Sequence, residues 1–208
     1  IPLGIFLRKY ASSMSTLLFA YLFFISIYYV YLPNSALRQG IALGLLLMGY
    51  ISLMERNSVI RFFILLALAV VFHKSALLGI LMLIPKYMRT GRGFYIIGVP
   101  LFVLMLFEYE IVGVALSTQS EVYSMYSGNF YLGGRERPFV ILLFYASLYL
   151  IGLLQLRKYV NANKNNNVVN YALTGTMLAL AFSPLILLDP SLIRITAYFI
   201  IWMMLYVN

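Results

Sequence analysis

Hydrophobic positions fall in long blocks at about 12–32, 37–54, 61–85, 93–107, 138–156, 170–188 and 192–207, divided by short polar stretches. Most approach or exceed the ~20 apolar residues that cross a ~30 Å hydrocarbon layer. They lack the period-two alternation of a barrel strand. In lipid the backbone finds partners only within its own helix or in a closed barrel, so each block is predicted to be helical. The expected fold class is all-α: a polytopic membrane helix bundle, with one transmembrane domain over residues 1–208.

Two connections are long. The first, about 108–137, is read as an outer loop carrying Tyr109, Tyr123, Tyr126, Phe130 and Tyr131, and the turn Gly133-Gly134 ahead of Arg135-Glu136-Arg137-Pro138. Loops of this length are usually functional or disordered. The second, about 157–169, holds Asn161-Ala162-Asn163-Lys164-Asn165-Asn166-Asn167 and reads as a polar cytoplasmic linker with no functional signal.

Basic residues orient the helices, because Lys and Arg collect in cytoplasmic loops. With Arg8 and Lys9 inside, the first block ends outside near Pro33, the second returns, and Arg56 and Arg61 are inside. The third block breaks the pattern. As one continuous crossing, 61–85 would put Lys86, Arg89 and Arg92 outside and hold His73 and Lys74 near mid-membrane. A break at His73-Lys74-Ser75 removes both costs: 61–72 rises, 75–85 descends, and Ser75 caps the second half. Twelve helical residues reach only ~18 Å, so the pair is re-entrant or two short tilted helices. Non-helical backbone at that depth must face protein or a water-filled cavity, which predicts a cavity open to the outer side.

Composition agrees. The 208 residues are 63% hydrophobic and 10% charged, with mean hydropathy +0.92, against ~45–50% and ~25% in soluble domains. That length holds roughly seven or eight membrane segments and leaves no room for a separate soluble domain, so a water-soluble enzyme is excluded. The absence of cysteine and the single His73 exclude zinc fingers, thiol nucleophiles, disulfide frameworks and multi-histidine metal sites. The net charge of +9 follows from membrane topology and implies no nucleic-acid partner. The start Ile1-Pro2-Leu3, without initiator Met or signal pattern, reads as an N-terminally incomplete chain.

With the break in place, five cations stand outside the cytoplasmic set: Arg38, Lys74, Arg135, Arg137 and Arg194. Glu108, Glu110, Glu121, Glu136 and Asp189 accompany them. Arg38 and Arg194 share a context, each three residues after a Ser at the outer start of an inward helix (Ser35 and Ser191). The helix dipole disfavours a cation there by ~0.3–1 kcal/mol, whereas a guanidinium beside free helix N–H groups suits a phosphate or carboxylate. The alternative is snorkelling to headgroups. His73 and Lys74 carry the strongest case, since ionisable groups at membrane depth are costly and normally functional; the alternative is a histidine bonded within the bundle. Glu136 and Asp189 read as ion-pair partners of neighbouring Arg residues, Glu121 as a possible base. Glu108-Tyr109-Glu110 reads as a solvated helix end rather than a metal dyad, and Tyr28, Tyr29 and Tyr31 as an interfacial belt.

Ser35-Ala36-Leu37-Arg38-Gln39-Gly40-Ile41-Ala42, followed by Ala69-Val70-Val71-Phe72-His73-Lys74-Ser75-Ala76-Leu77, resembles the EpsG-type branch of the bacterial O-antigen and exopolysaccharide polymerases. The shared features are Arg-Gln at a helix start, the Phe-His-x-Ser-Ala step and a late helical Arg, here Arg194; the likeness spans about 35–200. It implies a membrane glycosyltransferase that uses no nucleotide sugar, metal or other cofactor. Such an enzyme moves a growing glycan from undecaprenyl diphosphate to another lipid-linked repeat unit at the outer face of the inner membrane. Its partners would be that lipid-linked oligosaccharide, membrane lipid and a chain-length regulator protein. Arg38, Arg194 and His73 are then the catalytic candidates, with Gln39, Lys74, Arg135, Glu136, Arg137 and Asp189 as substrate-binding candidates. Rival readings are a membrane acyltransferase, whose donor would have to arrive from the cytoplasm, a lipid-linked oligosaccharide flippase, and a scaffold subunit.

Overall fold

The computed structural model describes residues 2–11, 13–29, 36–87, 92–108, 111, 139–162, 167–187, 192 and 195–204. Among them all regular structure is helical: α1 (Pro2–Tyr10), α2 (Met14–Tyr29), α3 (Ala36–Arg56), α4 (Val59–Phe72), a 3₁₀ segment (Lys74–Leu83), α5 (Ile84–Tyr87), α6 (Arg92–Phe107), α7 (Phe139–Ala162), α8 (Asn167–Phe182) continued by a 3₁₀ turn (Ser183–Leu187), and α9 (Ala197–Met204). Leu37–Arg56, Phe139–Leu156 and Asn167–Leu187 are long and apolar enough to cross a membrane. The all-α membrane bundle expected from the hydrophobic blocks is the fold observed.

The α3–α4 hairpin frames the candidate site. Asn57 adopts φ 50°, a left-handed conformation that Asn tolerates and that ends a helix. Ser58 then caps α4, its hydroxyl accepting from the Arg61 backbone N–H at 3.4 Å. The two helices pack side by side, with the Tyr50 and Phe62 rings stacked 6.2 Å apart.

The third block breaks at His73. This residue is extended, φ −153° and ψ 113°, between α4 and the 3₁₀ segment. Its N–H bonds the Ala69 carbonyl and its carbonyl accepts from Ala76 N–H, both at 2.9 Å. The chain then returns along α4, because Lys86 Nζ donates to the Asn57 carbonyl at 3.2 Å, beside the start of the rising leg. Two details differ from expectation. The descending leg is 3₁₀ rather than α, and Ser75 does not cap it: His73 holds the cap position without a side-chain bond. Length explains the first. Fourteen α residues rise ~21 Å, and ten 3₁₀ residues cover ~20 Å where ten α residues would cover ~15 Å.

Other ends fall on the same side as the Asn57–Lys86 contact. Lys9 Nζ donates to Glu55 Oε2 at 2.6 Å and Tyr10 Oη to Glu55 Oε1 at 2.8 Å, joining the end of α1 to the end of α3. The alternation assigned from the basic residues therefore holds through α4 and α5. Helix α1 was not foreseen; its Phe6 and Leu7 are buried. The linker placed at 157–169 is shorter than expected, since α7 continues to Ala162 and α8 begins at Asn167. Of the loop at 108–137, residues 109–110 and 112–137 lie outside the described residues; Glu108 closes α6, its N–H on the Leu104 carbonyl at 2.8 Å.

Helix α8 is central, with 89% of its crossing buried. Trp202 of α9 is the hub of the core on the Lys9–Glu55 side, its ring 5.0 Å from Phe6, 5.5 Å from Tyr171 and 5.6 Å from Tyr50. Aromatic contacts at these separations add to the dispersion that holds helices together in lipid. Helix α8 can approach α9 because residue 175 is glycine: a Cβ there would lie 2.7 Å from Trp202 and 2.9 Å from the Phe199 carbonyl.

Gly175→Ala is therefore expected to destabilise the bundle by about 1–3 kcal/mol, whereas Gly40→Ala, where a Cβ meets nothing within 4 Å, should be neutral or gain up to about 1 kcal/mol in helix propensity; thermal unfolding in detergent measures both. The chain is free of natural cysteine, so single cysteines report sidedness cleanly. Cysteines at Lys9, Asn57 and Lys86 should react from one membrane face and one at Lys74 from the other. Labelling of position 86 from the Lys74 face contradicts the returning leg.

Candidate functional site

The site is built at the end of the bundle opposite the Lys9–Glu55 bridge. Helices α3 and α4 are antiparallel, so the start of α3 and the end of α4 lie at this end. Gly49 packs on Phe62 and Leu65, which fixes their register. Carried forward, that register puts His73 level with residues 38–41, beside Arg38 and Gln39. A charge-bearing turn thus sits beside a helix start that carries a second cation.

Arg38 and Gln39 face different ways, as successive helical residues about 100° apart must. Arg38 is exposed at the surface of the bundle, and Gln39, 3% exposed, is buried within it. His73 is partly buried and Lys74 exposed. Arg38 and Lys74 therefore present two cations at one end, while the Gln39 amide and the His73 imidazole lie closer to the protein interior.

Helix α9 brings the C-terminal part of the chain to the same place. Ser75 Oγ and Tyr198 Oη are 3.2 Å apart, so the turn two residues beyond His73 meets α9 one residue past its start. Four residues farther along, Trp202 reaches Tyr50 and Phe6 toward the opposite end. Helix α9 thus runs away from the His73 end, and Ile195 and Thr196 lead into it there. Tyr149 of α7 joins the group, its hydroxyl 2.9 Å from that of Thr196.

Arg38, Gln39, His73 and Lys74 share one end of the molecule. Arg135, Glu136, Arg137, Asp189 and Arg194 lie outside the described residues, as do Ser35 and Ser191, the expected helix caps. Among the described residues no three His, Cys, Asp or Glu side chains gather closely enough to hold a metal ion. What the arrangement offers chemically is a pair of exposed cations, an imidazole and buried hydrogen-bonding groups, beside irregular backbone that needs protein or water next to it.

Tyr149, Thr196, Ser75 and Tyr198 were not foreseen as partners. Their signal in the sequence is faint, a few hydroxyls inside apolar runs, and such groups in membrane helices are regularly bonded across a helix interface. Ser75 was singled out, for a local cap rather than for this distant contact.

No curated protein and no solved structure matches the chain. The model of the EpsG family matches residues 1–208, the whole of the given sequence, and the chain belongs to the EpsG family.

Proposed function

We propose that the protein is a polysaccharide polymerase, a membrane glycosyltransferase that joins lipid-linked repeat units at the outer face of the inner membrane. The bond between the donor glycan's anomeric carbon and the lipid diphosphate breaks, and that carbon bonds to a hydroxyl oxygen of the acceptor repeat unit. The hydroxyl proton passes to the His73 imidazole, which serves as the general base. Undecaprenyl diphosphate leaves with developing negative charge, which Arg38 and Arg194 stabilise from fixed positions in a site of low dielectric. Lys74 and Gln39 hold the donor, and Arg135, Glu136, Arg137 and Asp189 grip donor or acceptor from the connecting segments. No metal takes part in this scheme.

The observation that carries this reading is the turn at His73, which ends a rising helix short of a full crossing and leaves an imidazole and an ammonium beside the start of α3. Membership in the EpsG family supports the reaction class. Broken helices also favour a second reading, a flippase for the same lipid-linked units. The two differ in product, since a flippase moves single units without joining them.

Arg38 is exposed, so Arg38→Ala should insert and fold normally, and Arg194→Ala is expected to behave alike. Each should lower polymerisation about 100- to 1000-fold, leaving single repeat units on gel analysis of cell-surface polysaccharide. Long chains at wild-type levels in both variants contradict the assignment. His73→Gln keeps hydrogen bonding but loses basicity, and should slow polymerisation by about 10²–10⁴; an unchanged rate removes His73 as the base.

A further inference from the structure

Two hydroxyl contacts cross the bundle where the proposed site lies. Tyr149 of α7 meets Thr196 at 2.9 Å, and Tyr198 of α9 meets Ser75 at 3.2 Å. Tyr149 and Tyr198 are 0% exposed and Thr196 is 2% exposed. A hydroxyl so deep in an apolar bundle is costly to desolvate unless it is bonded, so these contacts have a defined geometry rather than a solvated range of them.

We propose that Tyr198 is a positioning residue: bonded to Ser75, it holds the His73 turn in fixed relation to α9. The inference rests on the polymerase reading and extends it to groups that touch neither donor nor acceptor. His73 is extended, with φ −153°, so the helical backbone conformation does not run through this residue. Its backbone bonds to Ala69 and Ala76 are local; they shape the turn without relating it to α9. The Ser75–Tyr198 contact supplies that relation, bridging positions 123 residues apart. The Tyr149–Thr196 contact steadies α9 from the other side, two residues before Tyr198. An imidazole displaced by about 1 Å from its working position costs on the order of 100-fold in rate, so a latch two residues away acts on turnover more than on binding.

The test uses the full-length protein in lipid nanodiscs, with lipid-linked repeat units extracted from cells lacking the protein as substrate. Tyr198→Phe keeps the ring and its packing, and Ser75→Ala removes only one hydroxyl. Each should lower kcat about tenfold, as expected for loss of roughly one hydrogen bond, with KM unchanged; Ser75→Ala, which takes a bond from the buried Tyr198 hydroxyl, should also lower the thermal midpoint by a few degrees. Ser75→Thr should restore most of the rate. The double variant should be no slower than the slower single one, because both remove the same contact. Wild-type kcat in either single variant, multiplicative losses in the double, or a loss that disappears at temperatures well below the variant's thermal midpoint overturns the proposal. Arg38→Ala and His73→Gln run alongside: if both polymerise normally, the polymerase site itself is misassigned, whereas normal turnover in the Tyr198 variant alone rejects only the latch.

Discussion

At bilayer depth no water is at hand to take a backbone N–H or C=O that an interrupted helix leaves open. Everything at the candidate site depends on how the chain meets that constraint at His73. The turn bonds backward to Ala69 and forward to Ala76, and the segment then descends between its neighbours instead of crossing. The narrower 3₁₀ leg lets ten residues run nearly as far as fourteen α-helical ones, so Lys86 arrives beside Asn57. A ten-residue 3₁₀ run is uncommon on intrinsic grounds. Its bonding is poorer than that of an α-helix, and the packing around it must offset the difference.

The proposed function rests on where this device puts charge. A straight helix would carry His73 and Lys74 to mid-membrane, where burial of an ammonium is expensive. The break instead leaves them on a turn at one end of α4, beside the first turns of α3 with Arg38 and Gln39 and near the start of α9 at Ala197. The opposite end is closed by the Lys9–Glu55 bridge and the aromatic packing about Trp202. One end is thus packed about Trp202, and the other gathers the Arg38, Gln39, His73 and Lys74 side chains. EpsG family membership supports the polymerase reaction proposed for that arrangement.

The break at residue 73 was legible because two independent costs, charged side chains at depth and basic loops on the wrong face, pointed to the same residues. The helical blocks were legible for the same reason, since lipid leaves the backbone few choices. What escaped was decided by packing or by single residues. Helix α1 is too short for a hydrophobicity window; only burial of Phe6 and Leu7 marks it. Asn57-Ser58 is a stop followed by a cap, but it reads as loop unless the left-handed conformation is anticipated. The choice of 3₁₀ over α depends on the space beside α3 and α4. At the site, sequence indicated which cations and which histidine stand apart, and that Arg38 and Gln39 belong together. It did not separate the exposed Arg38 from the buried Gln39, nor reveal that Ser75 reaches Tyr198, a contact 123 residues away along the chain.

The most direct measurement is the distance between spin labels at positions 57 and 86, attached to cysteines in this otherwise cysteine-free chain. If the segment turns at His73, the labels lie on one face, within about two helix diameters of each other (~20–24 Å). If residues 59–87 form one continuous helix, the ends stand ~43 Å apart, and the gathering of Arg38, His73 and the start of α9 at one end would be wrong.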